Sequence, residues 1–388
     1  MMYLFLKVKK KANVDYGCQK PNSFPQGLQY IQFFGQADTI SIGISLFNNC
    51  NLHCRFCFDR GKHSNLDIEF FKQIPSIISK ALIKRNDDFL TTRNHLEIHL
   101  MGGEMFMDSL EDSVFDAYYE LCNDINRCIN TISNGNVDVS YVCVTNGIFT
   151  NTNRVDSFLK SIHATVSMSY DPIGRFNNDD ELNLMKSNFN HYKSLGIGNN
   201  LSITLTKETI DAYINGLGDI DLLKTSDVDL NCYTPNQLYK ELLPSEDDYF
   251  NFYKWCVDNR LFNIDFIKGL ILTTNGQPTS RYCMCKHEYQ LSKDGCTTDC
   301  SKHSSLIPSK CFYGRFDNDV NDETCNDVIV SLGMGKLGCL MCEHYSNCQF
   351  PCWLTVSFNE YTHTVCPLKR IYEYILNNNI TLDDINER

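Results

Sequence analysis

The run Asn49-Cys50-Asn51-Leu52-His53-Cys54-Arg55-Phe56-Cys57-Phe58 decides the reading of this chain. Its cysteines follow the pattern Cys-x3-Cys-x2-Cys, which lets one loop offer three thiolates to one iron–sulfur cluster and leaves that cluster one ligand short. Proteins that only move electrons usually close all four corners with cysteine. A three-thiolate cubane therefore keeps one iron open to a small molecule. A zinc knuckle is the competing reading, but zinc sites more often pair two Cys-x2-Cys hairpins.

The elements around this run alternate. Residues 39–46 read as a strand leading into the cysteine loop. Ile68, Phe71, Ile74, Ile78 and Leu82 then step by three or four, which predicts a helix from about Asn65 with a kink at Pro75. A strand over 96–100 ends in Met101-Gly102-Gly103-Glu104, where two glycines permit close backbone approach to a ligand. Ser109 and Asp112 predict the start of a helix carrying Val114, Phe115, Tyr118 and Leu121. The next strand, 139–144, ends in Thr145-Asn146-Gly147, and a short helix is expected over 154–162. A fourth strand, 164–170, holds Ser167 and Ser169 on one face and ends at Asp171. Leu182, Met185, Phe189 and Tyr192 mark the core stripe of a helix stopping at Gly196, and strands follow at 201–205 and 228–233. Six strand–helix units predict an α/β fold whose parallel sheet curves into a partial barrel. Reactive groups gather at strand C-termini in such sheets, and the cysteine loop and the three strand-end motifs all fall there.

Composition bounds the rest. The chain has 388 residues, 43% of them hydrophobic, with no apolar run long enough to span a bilayer, so a soluble, two-domain protein without membrane contact is expected. Its opening Met1-Met2-Tyr3-Leu4-Phe5-Leu6 lacks a cleavage pattern and reads as a short strand, not a signal peptide. A net charge of −12 argues against nucleic-acid binding, and the basic patch from Lys7 to Lys11 reads as a solvated face. Twenty cysteines without a secretion signal point to metal thiolates in a reducing, cytoplasmic compartment. Eleven of them lie from Cys283 onward, which makes the last third a cysteine domain, joined through a bridging helix at 249–263. Cys18, Cys122, Cys128, Cys143, Cys232 and Cys256 read as core or surface residues.

With the aromatic Phe56 before its third cysteine, the run resembles the signature of the radical S-adenosylmethionine (radical SAM) enzymes. Gly102-Gly103-Glu104 resembles that family's GGE motif, and Thr145-Asn146-Gly147 its TNG. The resemblance implies a partial (β/α)6 barrel, with a [4Fe-4S] cluster on Cys50, Cys54 and Cys57 and the amine and carboxylate of SAM on the open iron. Phe56, Gly102, Gly103, Glu104, Asn146, Ser167 and Ser169 would contact SAM, Glu104 through its ammonium. Further on, Cys339-x2-Cys342-x5-Cys348-x3-Cys352-x13-Cys366, preceded by Cys285-x9-Gly295-x4-Cys300, resembles the SPASM extension, which carries up to two auxiliary four-iron clusters. The last gap is shorter than the family's usual one. Carried over, Cys339, Cys342, Cys348 and Cys366 would hold the outer cluster, and Cys285, Cys300 and Cys352 the inner one. Its fourth ligand is Cys283, Cys296 or Cys311, or the iron is open. The implied domains are an N-terminal extension (1–38), the barrel (39–235), a bridging segment (236–276) and the SPASM domain (277–388).

In this family the reduced cluster splits SAM to methionine and a 5′-deoxyadenosyl radical, and auxiliary clusters give the substrate electron an exit. The expected function is therefore an oxidoreductase's: crosslinking or dehydrogenation of a peptide or protein side chain, as in peptide maturation. Alternatives are dehydrogenation of a small molecule of aminocyclitol or sugar type, formylglycine formation, and a non-catalytic metal-binding scaffold. Sulfatase-maturing enzymes place an acidic residue after the Gly-x4-Cys cysteine, whereas Ser301 follows Cys300 here. Expected partners are the peptide or protein substrate, a flavodoxin- or ferredoxin-type electron donor and, with 38 residues ahead of the first strand, a separate leader-binding protein. No catalytic acid or base is assigned.

Overall fold

A computed structural model describes residues 39–57, 66–84, 88–233, 239–277, 288–292, 295–297, 339–344, 348–349 and 366–386. The expected N-terminal strand, the basic patch, Cys18, Cys283, Cys285, Cys300, Cys311 and Cys352 lie outside the described residues.

Chain order runs β1 (Thr39–Ser45), α1 (Ile68–Phe71), α2 (Ile74–Lys84), β2 (Asn94–Met101), α3 (Asp112–Ser133), β3 (Val137–Thr145), α4 (Thr152–Ile162) and β4 (Thr165–Ser169). It continues with α5 (Asp179–Ser194), β5 (Asn200–Leu205), α6 (Lys207–Ile214), α7 (Ile220–Lys224) and β6 (Asp227–Cys232). Then come α8 (Glu246–Asp258), α9 (Asp265–Thr274), β7 (Glu288–Ser292), β8 (Gly295–Thr297), α10 (Pro367–Asn377) and α11 (Leu382–Asn386). β1 to β6 pair in sequence, all parallel. β7 adds to the other side of β1, also parallel, and β8 pairs antiparallel with β7, giving the order β6-β5-β4-β3-β2-β1-β7-β8. The expected six-stranded parallel half-barrel is therefore present, with a hairpin from the C-terminal third added to its first strand.

The strands of the half-barrel, β1 to β6, are two-faced. Ile40, Ile42 and Ile44 of β1, Leu96, Ile98 and Leu100 of β2, and Leu201 and Ile203 of β5 are buried in one large core, where a fully buried aliphatic side chain is worth ~1.5–3 kcal/mol. The opposite face is polar. Register sets Glu97 beside Ser140, Ser167 beside Asn200 and Ser202 beside Asp229, so these line the trough of the curled sheet. Beneath the rim, Phe106, Phe115, Tyr118 and Phe158 pack ring to ring at 5.6–6.2 Å.

Three local expectations change. The helix predicted from Asn65 is two helices broken at Lys72 and Gln73, and Pro75 sits in the first turn of α2, where its missing N–H costs nothing, so it starts a helix and does not kink one. The N-cap of α3 is Glu111, not Ser109. Nearby Asp108 accepts instead from Thr150 N at 2.9 Å and Thr150 Oγ1 at 2.9 Å, tying β2's exit to β3's. α5 ends with Leu195 as C-cap, and Gly196 takes the left-handed φ of 71° just beyond it. The bridging helix is α8, opened by a Ser245–Asp248 capping box and packed against α10.

Candidate functional site

The cysteine loop is held by backbone. After β1, Leu46 N donates to Met101 O at 3.0 Å, Gly103 N to Phe47 O at 2.6 Å and Glu104 N to Asn49 O at 2.8 Å, extending the β1–β2 pairing into both loops. No side chain fits between them: a Cβ on Gly103 would lie 1.8 Å from Asn49 O, and one on Gly102, at φ 150°, 2.4 Å from Phe47 O. The close approach that these glycines permit is thus to the cysteine loop itself.

Glu104 then joins this loop pair to the next strand. Its buried carboxylate accepts from Phe106 N at 3.0 Å, Thr145 Oγ1 at 2.7 Å and Asn146 N at 2.6 Å. Desolvation pushes its pKa up, and those donors pull it back. Asn146 Nδ2 donates to Asn51 Oδ1 at 2.7 Å and lies 3.7 Å from Cys50 Sγ, while Asn51 Nδ2 donates to Ile148 O at 2.8 Å. Cysteine loop, GGE and TNG are therefore one hydrogen-bonded unit at the C-terminal rim. Ser167, buried, donates to Asn200 Oδ1 at 3.2 Å, and half-buried Ser169 shares its face.

Cys54 is buried, Cys50 half-buried and Cys57 exposed. Desolvation pushes the Cys50 thiol up to about 11 and raises that of Cys54; Cys54 and Cys57 raise Cys50 further, and Cys57 raises Cys54. Since the ligand form is the thiolate, the site calls for a cationic group to hold it. Among the described residues no three His, Cys, Asp or Glu side chains converge as a single ion requires. Three cysteines of one loop within electrostatic reach of one another fit a polynuclear iron–sulfur cluster, where each thiolate takes its own iron. Leu52, Cys54, Phe56, Tyr233 and Leu242 form a small apolar cluster of their own around the loop. Arg55 reaches outward to Glu208 at 3.2 Å and Glu241 at 2.8 Å, exposed pairs that orient the loop and add ~1 kcal/mol at most.

Two groups escaped the sequence reading. Beyond β4, Asp171 and Arg175 form an ion pair at 2.7 Å, with side chains 0% and 12% exposed, directly beside Cys54. The sequence marked Asp171 only as a strand end, and Arg175 lies in the irregular segment after it, where i,i+4 spacing carries no helical signal. In the trough, Glu97 Oε1 lies 2.6 Å from His99 Nε2, and His95 Nε2 2.8 Å from Ser140 Oγ. Asp229 lies across from this pair, accepts from Asn200 Nδ2 at 2.9 Å, and has its pKa raised by desolvation. The signal here was the alternation His95-Leu96-Glu97-Ile98-His99, unusual where parallel strands are normally apolar throughout.

In the C-terminal third, Cys339, Cys342, Cys348 and Cys366 come together on a different support. Burial raises the Cys339 thiol, and Cys366, Cys348 and Cys342 raise it further. Cys366 is the N-cap of α10; burial lifts it to about 12 despite backbone donors from Lys369 and Leu368. Tyr372, buried on α10, donates its hydroxyl to Cys348 Sγ at 3.5 Å, and Gln349 packs over Gly269 of α9.

No family model matches the sequence, and no curated protein matches it. Solved structures do share the fold. Native anSMEcpe with bound AdoMet and Kp18Cys peptide matches at TM-score 0.61 and 18% identity, over 90% of this chain and 100% of that one. SuiB of Streptococcus suis bound to precursor peptide SuiA matches at TM-score 0.51 and 14% identity, over 88% of this chain and 79% of that one. Both neighbours are radical SAM enzymes. At these identities the likeness is one of fold, and the chain has the radical SAM partial-barrel fold.

Proposed function

We propose that this chain is a radical SAM oxidoreductase that modifies a peptide or protein side chain, by crosslinking or dehydrogenation. The observation that carries the reading is the cysteine loop locked between GGE and TNG, three cysteines of one loop on the rim above a polar trough. A [4Fe-4S] cluster and SAM held there would supply radical chemistry able to take a hydrogen atom from an unactivated C–H bond. Cys50, Cys54 and Cys57 hold the cluster, and Phe56, Gly102, Gly103, Glu104, Asn146, Ser167 and Ser169 surround SAM. Cys339, Cys342, Cys348 and Cys366 hold an auxiliary cluster. Cys285, Cys300 and Cys352, with Cys283, would hold a second, which would give the substrate electron an exit, while a ferredoxin- or flavodoxin-type partner would be the electron donor.

Peptides bound to two fold neighbours, SuiA and Kp18Cys, support a peptide substrate here. A second reading, dehydrogenation of a hydroxyl- or amine-bearing small molecule, is favoured by the trough of Glu97, His99, Asn200 and Asp229. Anaerobically reconstituted protein reduced with dithionite is expected to release 5′-deoxyadenosine from SAM, and Cys54→Ala to abolish it. Cleavage by the variant at the parental rate would overturn the ligand assignment. Mass spectrometry of the product separates the substrate readings: a peptide two hydrogens lighter supports the first, an oxidised small molecule the second, and unchanged mass defeats both.

A further inference from the structure

The loop after β4 and the cysteine loop meet at one guanidinium. Asp171, fully buried at the end of β4, accepts from Thr204 N of β5 through Oδ1 at 2.8 Å and from Arg175 Nε through Oδ2 at 2.7 Å. This fork fixes Arg175 in place, since a guanidinium held on a carboxylate has little freedom left. Its far side faces the cysteine loop: Nη1 lies 4.0 Å from Cys54 Sγ, and Cζ stands 5.1 Å from the centre of the Phe56 ring. Gly174, at φ 79°, brings the backbone onto that ring, with its Cβ position 3.4 Å from Phe56 Cε1.

As a thiol, Cys54 also donates to Arg175 O at 3.8 Å. A ligating thiolate has no hydrogen to give, so that contact ends when metal binds, while the N–H group of Arg175 still faces the sulfur. Cys50, by contrast, has only neutral donors, Asn146 Nδ2 at 3.7 Å and Leu52 N at 3.4 Å. Cys54 thus has a full positive charge beside it, one that also reaches Cys57 and is neutralised from behind by a carboxylate. Hydrogen bonds and net charge at cluster sulfurs are what set iron–sulfur potentials.

We propose that Arg175, held by Asp171, is a positioning residue that fixes Cys54 and sets the reduction potential of the cluster on Cys50, Cys54 and Cys57. This rests on the cluster reading above. Removing the cation favours the oxidised, less negative cluster and moves the potential down. Removing its counter-charge at Asp171 does the opposite.

The test uses the full chain, reconstituted anaerobically, with iron content and an EPR-monitored redox titration of the signal that Cys54→Ala removes. Arg175→Met is expected to shift the midpoint to more negative values, Arg175→Lys to restore part of the shift, and Asp171→Asn to move it to more positive values. A merely structural ion pair makes both disruptive variants lose iron alike, with unshifted midpoints in whatever cluster remains. Shifts of one sign in both, no shift in either, or equal iron loss in Arg175→Met and Arg175→Lys would overturn the proposal. Loss of iron in Arg175→Met that lysine restores supports it. If the parent protein has no signal that depends on Cys54, it is the cluster reading that fails.

Discussion

Around Cys50, Cys54 and Cys57 the cysteine loop is fixed by neighbouring backbone, with GGE hydrogen-bonded to residues 47 and 49 and the TNG turn closing over it. Around Cys339, Cys342, Cys348 and Cys366 the described support is side chains on helices: Tyr372 against Cys348, Gln349 over Gly269, and Cys366 leading into α10. The first site is preorganised by the sheet before any ligand binds. The second relies on packing between α8, α9 and α10, so under the proposed function a cluster there would contribute more to the local fold.

The largest effect that would break this comparison is interdependence of the two sites. Ala at Cys50, Cys54 and Cys57 together is expected to abolish SAM cleavage yet leave roughly eight irons per chain, if two cysteine-held four-iron clusters remain. Iron near zero with bound zinc would mean that the C-terminal third is a zinc module.

Gly103→Ala comes next. Its Cβ meets backbone, Asn49 O at 1.8 Å, so the cysteine loop has to move, at a cost of about 3 kcal/mol, with loss of the barrel cluster and retention of auxiliary iron. Iron analysis and thermal melting check both halves of this.

Gly269→Ala sharpens the contrast, because its Cβ meets only the Gln349 side chain, 1.6 Å from Nε2. Side chains yield more cheaply than backbone, so a loss of about 1 kcal/mol is expected, along with weaker auxiliary loading and normal SAM cleavage. A melt as damaged as that of Gly103→Ala would erase the distinction.

Smallest is Glu97. The His99 hydrogen bond, chief among its influences, holds this carboxyl below its ordinary 4.5. A depressed carboxylate stabilises the fold above its unfolded value and loses that contribution as pH falls through its folded value. In metal-free protein the melting temperatures of the parent and Glu97→Gln should therefore differ most near neutrality and converge as pH drops below 4.5. A gap independent of pH would argue that His99 does not hold Glu97 ionised.

The sequence made the half-barrel legible because each of the first four strands ends in a motif with its own logic, so errors of a residue or two at the boundaries left the rim intact. Pro75 misled because proline's cost depends on whether a helix has already begun, which periodicity alone does not reveal. The glycines of GGE were read as a close approach to a ligand, whereas the structure brings them against the backbone of Phe47 and Asn49, a non-local fact. Arg175 was hidden for the same reason: nothing in Asp171-x3-Arg175 says that the guanidinium ends at a cysteine more than a hundred residues earlier in the chain. Glu97 and His99 were legible in principle, as a polar alternation in a strand that parallel pairing should have kept apolar.

The margins of the sheet carry a last consequence. Among the described residues, one margin is β8, only three residues long, and the other is β6, which carries the acids Asp227 and Asp229. A long, flat, apolar margin is a template on which a foreign strand zips up; brevity and fixed negative charge are two ways to refuse it. The unclosed cylinder therefore stays unclosed, a gutter that repels strands of its own kind.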